Sequence, residues 1–275
     1  LGQGNEARGY QLSMIGLAVI CIIALIVAFF TTKERVTPDP KVKSSLKDDL
    51  KDLMHNRPWI ILFLTSLIFL IYIGIRSAST MYYFEYYLER KGLAAAFMVS
   101  GTVSVLLGVL PTKYLTKKFG KRKLFLGSTS IIVISLIISY FAGPDNLVLV
   151  FGTQIIFSLA SGPTFPLLCA MLADSSDYSE WKNGRRATGL AYSAATFAQK
   201  TGATLGASFM LFLIGAFGYV AGAQQSSESL TAIRFSMTLI PAAIALIGFV
   251  VMYFYNLTES KLQEIEKELN ARRAK

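Results

Sequence analysis

The chain has 275 residues, of which 53% are hydrophobic, and its mean hydropathy is +0.49. Its apolar residues gather in long runs instead of alternating with polar ones, which excludes an ordinary soluble domain and predicts a multi-pass membrane protein. The formal net charge of +10 would alone suggest a nucleic-acid partner. The basic residues lie mostly in loops between the apolar runs, so we expect a lipid bilayer and no nucleic acid as partner.

Seven apolar runs are long enough to cross a bilayer, because a helical span needs about 20 residues. They cover residues of about 12–32, 58–84, 93–112, 124–142, 147–172, 187–218 and 230–256. We therefore predict an all-α membrane protein with about seven transmembrane helices. Most of the 27 lysines and arginines follow the first, third and fifth runs or lie in the tail. By the positive-inside rule, these loops and the C-terminus face the cytoplasm.

The charge pattern also predicts the domain organisation. We interpret residues 1–32 as the last helix of an N-terminal bundle and residues 33–57 as a cytoplasmic inter-bundle loop. Residues 58–256 then form a C-terminal bundle of six helices, and residues 257–275 form a cytoplasmic tail. An odd number of spans and an external start suggest a fragment of a longer protein, with a genuine seven-span protein as the alternative.

Two charged segments carry apolar residues on one helical face. The first is residues 42–54, and the second is the tail, with Leu262, Ile265 and Leu269. We predict that the first is a short helix along the membrane surface and that the second is a solvated or surface helix.

One arginine lies inside an apolar run. Arg76 belongs to the second run, about nine residues before Glu85 and the aromatic cluster Tyr82 to Tyr87, which predicts an interfacial belt. Its guanidinium either snorkels outward or pairs at an external gate, and the sequence leaves both interpretations open.

The fifth run and its end carry two further features. The stretch SGPTFP places Pro163 within the run, which predicts a kink, and broken helices often line transporter binding sites. Asp174 and Asp177 follow, and Arg186 opens the sixth run. Opposite charges at adjoining helix ends could latch a cytoplasmic entrance, or they could form a solvated cluster worth about 0–1 kcal/mol per pair.

The sixth run contains one charge, Lys200. It lies about 20 Å from the cytoplasmic end, near the bilayer midplane, where a cation is costly without a partner. Tyr192, Thr196, Lys200 and Thr204 recur at i, i+4 spacing and form a polar stripe. The stripe predicts a helix that lines a water-filled cavity, with a lysine tied to neighbouring carbonyl groups as the alternative.

A pair of glycines accompanies this stripe. Gly202 and Gly206 have the spacing that lets a neighbouring helix approach closely. No aspartate or glutamate lies near the middle of any of the seven runs. The partner of Lys200 is therefore expected to be a substrate or a carboxylate outside this chain, unless the lysine is deprotonated.

The segment ADSSDYSEWKNGRRATGLAYSAATFAQKTGATLG resembles the signature of the glycoside–pentoside–hexuronide:cation symporters. These melibiose permease-like proteins belong to the major facilitator superfamily. Ser179 stands where glycine is usual, and Trp181 fills a variable position. The segments TTKER and KKFGKRK support the resemblance, although the second lacks the acidic residue of the superfamily's basic inter-helix motif. The resemblance aligns the chain with helices six to twelve of a twelve-helix bundle.

The resemblance implies roles for several residues. Lys200 matches the intramembrane lysine near the cation-site carboxylates and the sugar pocket, and Thr196 and Tyr192 fall in the same region. Phe165 falls where a sugar-facing aromatic residue is expected, whereas Ala195 stands where a pocket glutamine occurs, which leaves the sugar open. Asp174, Asp177 and Arg186 match a cytoplasmic gate.

The function implied is secondary active transport by symport of a sugar and Na+ or H+ in the inner membrane. Alternating access between two bundles requires no enzyme activity and no cofactor. The cation ligands are expected mainly in N-terminal helices of the same transporter that this chain lacks, with no metal site in the chain itself. Alternatives are the same fold carrying a lysolipid and, more remotely, a seven-helix retinal-type photoreceptor.

Overall fold

The computed structural model describes residues 6–32, 46–184 and 188–273, and every regular element in those ranges is helical. The chain divides into two compact units, Leu1–Lys43 with helix α1 and Ser44–Lys275 with the other helices. The α-helices are α1 Glu6–Thr31, α2 Leu46–Met54, α3 Arg57–Tyr82, α4 Ala94–Val109, α5 Thr112–Phe119, α6 Lys121–Tyr140, α7 Leu147–Ser161, α8 Thr164–Asn183, α9 Thr188–Ala216, α10 Ser227–Met237, α11 Leu239–Tyr253 and α12 Glu259–Arg273.

In the described ranges, six helical segments are long and apolar enough to cross a membrane. They are Ala7–Thr31, Arg57–Tyr87, Lys91–Val109, Lys121–Tyr140, Leu147–Asn183 and Ser227–Tyr253. The remaining predicted run forms α9, which has 29 residues but also carries the polar stripe with Lys200. The all-α membrane fold predicted from the sequence is confirmed.

The fifth apolar run extends further than its hydropathy predicts. We expected it to end near residue 172, but the segment is helical to Asn183 apart from a turn at Gly162–Pro163. This turn is the predicted break, and it lies where proline cannot donate a backbone hydrogen bond. The helix ends at Gly184, which adopts the left-handed conformation with φ of 69°.

Local side chains define where several helices begin. The side-chain oxygen of Asn56 accepts a hydrogen bond from Trp59 N at 3.1 Å at the start of α3. Asn146 does the same for Leu149 N at 3.1 Å before α7. Each cap satisfies a backbone donor that has no partner inside its helix.

The second unit is organised around α3. This helix packs along α9 and also contacts α11, α10 and α8, while α4 packs on α7, and α6 packs on α7 and α11. Helices α3 and α9 approach each other closely. A methyl group added at Gly202 would lie 2.5 Å from the carbonyl oxygen of Leu67, and one at Gly206 would lie 2.2 Å from that of Ile71. The close helix contact predicted from these glycines is confirmed.

The tail helix α12 differs from its prediction as a surface or solvated helix. Its apolar residues Leu262, Ile265 and Leu269 are only 6%, 0% and 4% exposed, because they pack in the protein core near α8. The Trp181 indole Nε1 of α8 also donates to Glu268 Oε2 of α12 at 2.6 Å. The apolar face is therefore covered by protein.

We predict that Gly206→Ala destabilises the protein by about 1–3 kcal/mol, because the new methyl group forces α3 and α9 apart. Gly215→Ala is the matched control on the same helix, since its added methyl group would lie more than 4 Å from every atom outside the helix's own backbone. Thermal unfolding of the detergent-purified proteins measures both effects. Equal melting temperatures for the two variants would contradict the close contact.

Candidate functional site

The polar stripe of α9 lies on the face that points away from α3. Thr196 and Lys200 are exposed in this chain, whereas Gly202 and Gly206 are buried against α3. At 100° per residue, Lys200 and Gly202 are about 200° apart around the helix. Thr204 donates its hydroxyl hydrogen bond to the Lys200 carbonyl oxygen at 3.0 Å. The stripe is thus available to groups other than α3.

The ammonium of Lys200 has no carboxylate within 4.0 Å in the parts of the chain that the structure describes. It lies twelve residues after the start of α9, which corresponds to about 18 Å along the axis. A cation at this depth normally faces a bundle interior or an aqueous cavity. That α9 lines a cavity stays a prediction.

Helix α8 adjoins this stripe and carries Phe165. The Tyr192 hydroxyl of α9 donates to the Cys169 carbonyl oxygen of α8 at 2.9 Å, and this bond ties the two helices together. Phe165 lies one turn before Cys169 and is 49% exposed. The structure therefore places the predicted aromatic platform and the polar stripe on neighbouring helices, with Tyr192 engaged in holding them.

The predicted gate carboxylates lie on α8. Asp174 forms an ion pair with Lys121 at the start of α6, at 2.6 and 2.8 Å from Lys121 Nζ to its two oxygens. Both side chains are largely buried, with 14% and 23% of their side-chain surface exposed. Asp177 lies one turn further along and is half-buried. Arg186, the predicted partner across the loop, lies outside the described residues.

The same inner region connects α6 to α12. The Lys121 backbone N–H donates to Glu259 Oε1 at 3.1 Å, so this carboxylate caps the start of α6. Tyr255 is 2% exposed, and burial raises the pKa of its phenol, with the Asp174 and Glu259 carboxylates adding to the effect. Tyr255 is therefore neutral at physiological pH.

Arg76 is 6% exposed and points into the bundle. Its Nη2 donates to Gln154 Oε1 of α7 at 2.5 Å, and its Nη1 donates to the Met237 carbonyl oxygen at 3.2 Å. Glu85, the acidic residue of the nearby aromatic cluster, pairs with Lys91 at 2.9 Å. The guanidinium therefore neither snorkels outward nor pairs with Glu85, and the role of an external gate stays a prediction.

Two partners were missed from the sequence. Lys121 belongs to the KKFGKRK segment, which lacks an acidic residue of its own. Its carboxylate partner is Asp174 of α8. Gln154 is the one side-chain amide of α7, a predominantly apolar helix, and this was the available signal. In the described residues, no group of three histidine, cysteine, aspartate or glutamate side chains could hold a metal ion.

Comparison with known proteins decides the family. The sequence model described as "MFS/sugar transport protein" matches residues 1–259. The chain belongs to this family. MFS denotes the major facilitator superfamily, whose members are transporters and not enzymes, so the photoreceptor alternative does not hold.

Similar proteins in bacteria carry transporter names. The chain is 32% identical over 272 residues to the isoprimeverose transporter of Lactiplantibacillus pentosus, covering 98% of this chain and 56% of that protein. It is 31% identical over 271 residues to the glucuronide carrier protein homolog of Escherichia coli K12, covering 96% and 58%. The inner membrane symporter YicJ of the same organism is 27% identical over 271 residues, covering 98% and 59%. The chain thus spans somewhat more than half the length of these relatives.

Solved structures show the same fold. A crystal structure of the Escherichia coli fucose:proton symporter FucP matches with a TM-score of 0.60 at 20% identity, covering 92% of this chain and 56% of that one. A second FucP structure, in the outward conformation, matches with a TM-score of 0.58. The likeness establishes a transporter fold of the major facilitator type.

We predict that the Lys121–Asp174 pair stabilises the transporter, because removing Lys121 leaves a largely buried carboxylate unpaired. Lys121→Ala should lower the free energy of unfolding by about 1–3 kcal/mol. The Lys121→Ala, Asp174→Ala double variant should lose less than the sum of the single variants. The exposed pair Lys261–Glu264 is the matched control, and its removal should change stability by less than about 1 kcal/mol. Equal coupling energies for the two pairs in unfolding measurements would show that the inner pair has no special role.

Proposed function

We propose that this chain forms part of a secondary active transporter that carries a sugar together with a cation. The sugar class comprises glycosides, pentosides and hexuronides, and the cation is Na+ or H+. The sugar and the cation bind near the middle of the membrane, and two helical bundles rock around them to expose the site to alternate sides. The names of the similar transporters and the signature around Lys200 support this proposal.

The observation that carries the proposal is the position of Lys200. Its ammonium lies near the middle of α9, on the face opposite the contact with α3, and has no carboxylate partner in the described ranges. A lysine exposed to lipid at this depth would be costly. A cavity that brings carboxylates and a coupling cation to this face would compensate the positive charge of Lys200. Lys200 then changes its interactions as the cation enters and leaves.

The neighbouring residues have matching roles in this proposal. Thr196 contacts the sugar one turn before Lys200, and Phe165 offers an exposed ring on the adjoining helix. Tyr192 positions the two helices through its bond to Cys169. The carboxylates that bind the cation are expected in N-terminal helices of the same transporter, beyond this chain, and no resident metal or cofactor is required.

The inner charges form the proposed cytoplasmic gate. Asp174 is held by Lys121, and the signature implies that Asp177 and Arg186 belong to the same gate. Opening then requires breaking the charge contacts of this gate as the bundles rock.

We also propose that the protein lies in the inner membrane with its C-terminus in the cytoplasm, as the basic loops indicate. The boundaries after residues 32, 57 and 256 remain part of this proposal.

Vesicle uptake tests the function directly. The full-length transporter in proteoliposomes is offered labelled glycosides, pentosides and hexuronides under an imposed Na+ or H+ gradient. Accumulation of one sugar class under one gradient supports the symporter and names both the sugar and the cation. If no sugar is taken up under any gradient but a labelled lysolipid is, the substrate is a lipid and not a sugar.

We predict that Lys200→Ala abolishes sugar accumulation above equilibrium, because the cation site loses its charged partner, while membrane insertion stays normal. Lys113→Ala, an exposed lysine of α5, is the matched control and should accumulate sugar like the unmodified protein. Uptake in proteoliposomes measures accumulation, and quantitative immunoblotting measures insertion. Normal coupled uptake by the Lys200→Ala variant would reduce this lysine to a packing residue.

A further inference from the structure

Arg76 is a buried cation outside the polar stripe of α9. It lies nineteen residues after Arg57, about 28 Å along α3, and is 6% exposed. Helices α3 and α9 run in the same direction, with Gly202 beside Leu67 and Gly206 beside Ile71. Arg76 is therefore more than one helical turn further along the bundle than Lys200. It marks a separate place in the same transporter.

The surrounding backbone is arranged to receive this guanidinium. The apolar run of residues 230–256 is broken at Thr238, between α10 and α11. Pro241 has no N–H, so the Met237 carbonyl oxygen four residues earlier has no intrahelical donor and accepts from Arg76 Nη1 at 3.2 Å. This oxygen fixes one edge of the guanidinium.

The second acceptor is also held in place by the fold. The Gln154 side chain lies directly against Gly101 of α4, where an added methyl group would be 2.3 Å from its Nε2. Gln154 Oε1 accepts from Arg76 Nη2 at 2.5 Å. The guanidinium also lies over the Phe157 ring, with 4.3 Å from its central carbon to the ring centroid. Arg76 is thus held in one orientation by neutral groups.

Neutral acceptors position the guanidinium but leave its charge uncompensated. No carboxylate lies within 4.0 Å of Arg76 in residues 6–32, 46–184 and 188–273. In those residues its five N–H groups find two carbonyl oxygens as acceptors, and Nη1 also lies 4.0 Å from the Met237 sulfur, a weak acceptor. A buried cation of this kind is stabilised by an anion. A guanidinium can donate two parallel hydrogen bonds to the two oxygens of a carboxylate.

A cavity of about 300 Å³ opens beside the guanidinium, between α3, α4 and α7. Its wall combines polar and aromatic side chains, including Thr80, Gln154, Ser158, Phe97 and Phe157. The volume is at the small end of the range for ligand pockets, which fits one sugar ring better than a lipid. The wall offers hydroxyl and amide groups for sugar hydroxyls as well as a cation for an acid group.

We propose that this cavity is a second sugar site of the same transporter and binds the carboxylate of an acidic sugar through Arg76, so that hexuronides bind there in preference to neutral glycosides. The inference rests on the proposed function of sugar transport and goes beyond the site proposed at Lys200. Gln154 and the Met237 carbonyl group orient the guanidinium, and Arg76 supplies the two donors that face the sugar acid. The Phe157 ring contacts the guanidinium and also lines the cavity.

Two matched sugars test this inference. Methyl β-D-glucuronide and methyl β-D-glucoside differ only in the carboxylate that replaces the hydroxymethyl group. Calorimetric binding to the purified full-length transporter should favour the glucuronide by at least about tenfold. Arg76→Gln should weaken glucuronide binding by about 10- to 100-fold and leave glucoside binding within about threefold. Arg76→Lys keeps the charge without the forked geometry and should lose part of the preference.

The control separates the cavity from general electrostatic attraction. Arg234 also binds a backbone carbonyl group, that of Tyr140, and stacks on the Tyr140 ring, but it does not line the cavity. Arg234→Gln should leave the ratio of the two affinities unchanged. If Arg76→Gln does not fold, the preference of the unmodified protein and the Arg76→Lys variant still decide the question.

Failure of this inference and failure of the proposed function give different results. Equal or tighter binding of the glucoside by the unmodified transporter would overturn the acidic-sugar site and leave sugar transport intact. Equal losses of both sugars in the Arg76→Gln variant would show a structural or gating role. Absence of any sugar transport in the vesicle assay would remove the proposed function, and this inference with it.

Discussion

The close contact of α3 with α9 is the constraint on which the arrangement of the second unit depends. Without a hydrophobic driving force between helices in lipid, association relies on close packing, and glycine permits the shortest approach. Gly202 and Gly206 bring the α9 backbone against the carbonyl groups of Leu67 and Ile71. This contact uses one face of each helix. It leaves the Lys200 stripe on the far side of α9 and turns Arg76 of α3 toward α4 and α7.

Breaks in the helices supply much of the polar chemistry. A backbone N–H or carbonyl group without a hydrogen-bond partner is costly inside a membrane. The groups freed at each break must therefore bond to another part of the protein or to water. The carbonyl group freed at Met237 is answered by Arg76. The turn at Gly162–Pro163 divides the fifth segment into α7, which carries Gln154, and α8, which carries Phe165 and the aspartates of the proposed gate. The break thus separates two regions with different roles along one membrane-crossing segment.

The buried and intramembrane charges fall into two groups. Lys121 and Asp174 neutralise each other at the start of α6, beside the carboxylate of Glu259. Arg76 and Lys200 have no carboxylate partner in the part of the chain that the structure describes. The first group holds helices together, whereas we propose that the second group receives anionic groups from outside this chain. In the mechanism proposed here, the transporter's own N-terminal carboxylates answer Lys200, and the acid group of the substrate answers Arg76.

The sequence by itself determined the membrane class, most of the spans, the close glycine contact and, through the motif around Lys200, the family. These features are local, because hydropathy and i, i+4 spacing are properties of single segments. Only the tertiary structure decided which side chains meet: Lys121 with Asp174 across 53 residues, and Arg76 with Gln154 across 78. It also decided that the apolar face of α12 packs on protein. Such pairings depend on how helices cross, and sequence spacing within one helix carries no information about its neighbour.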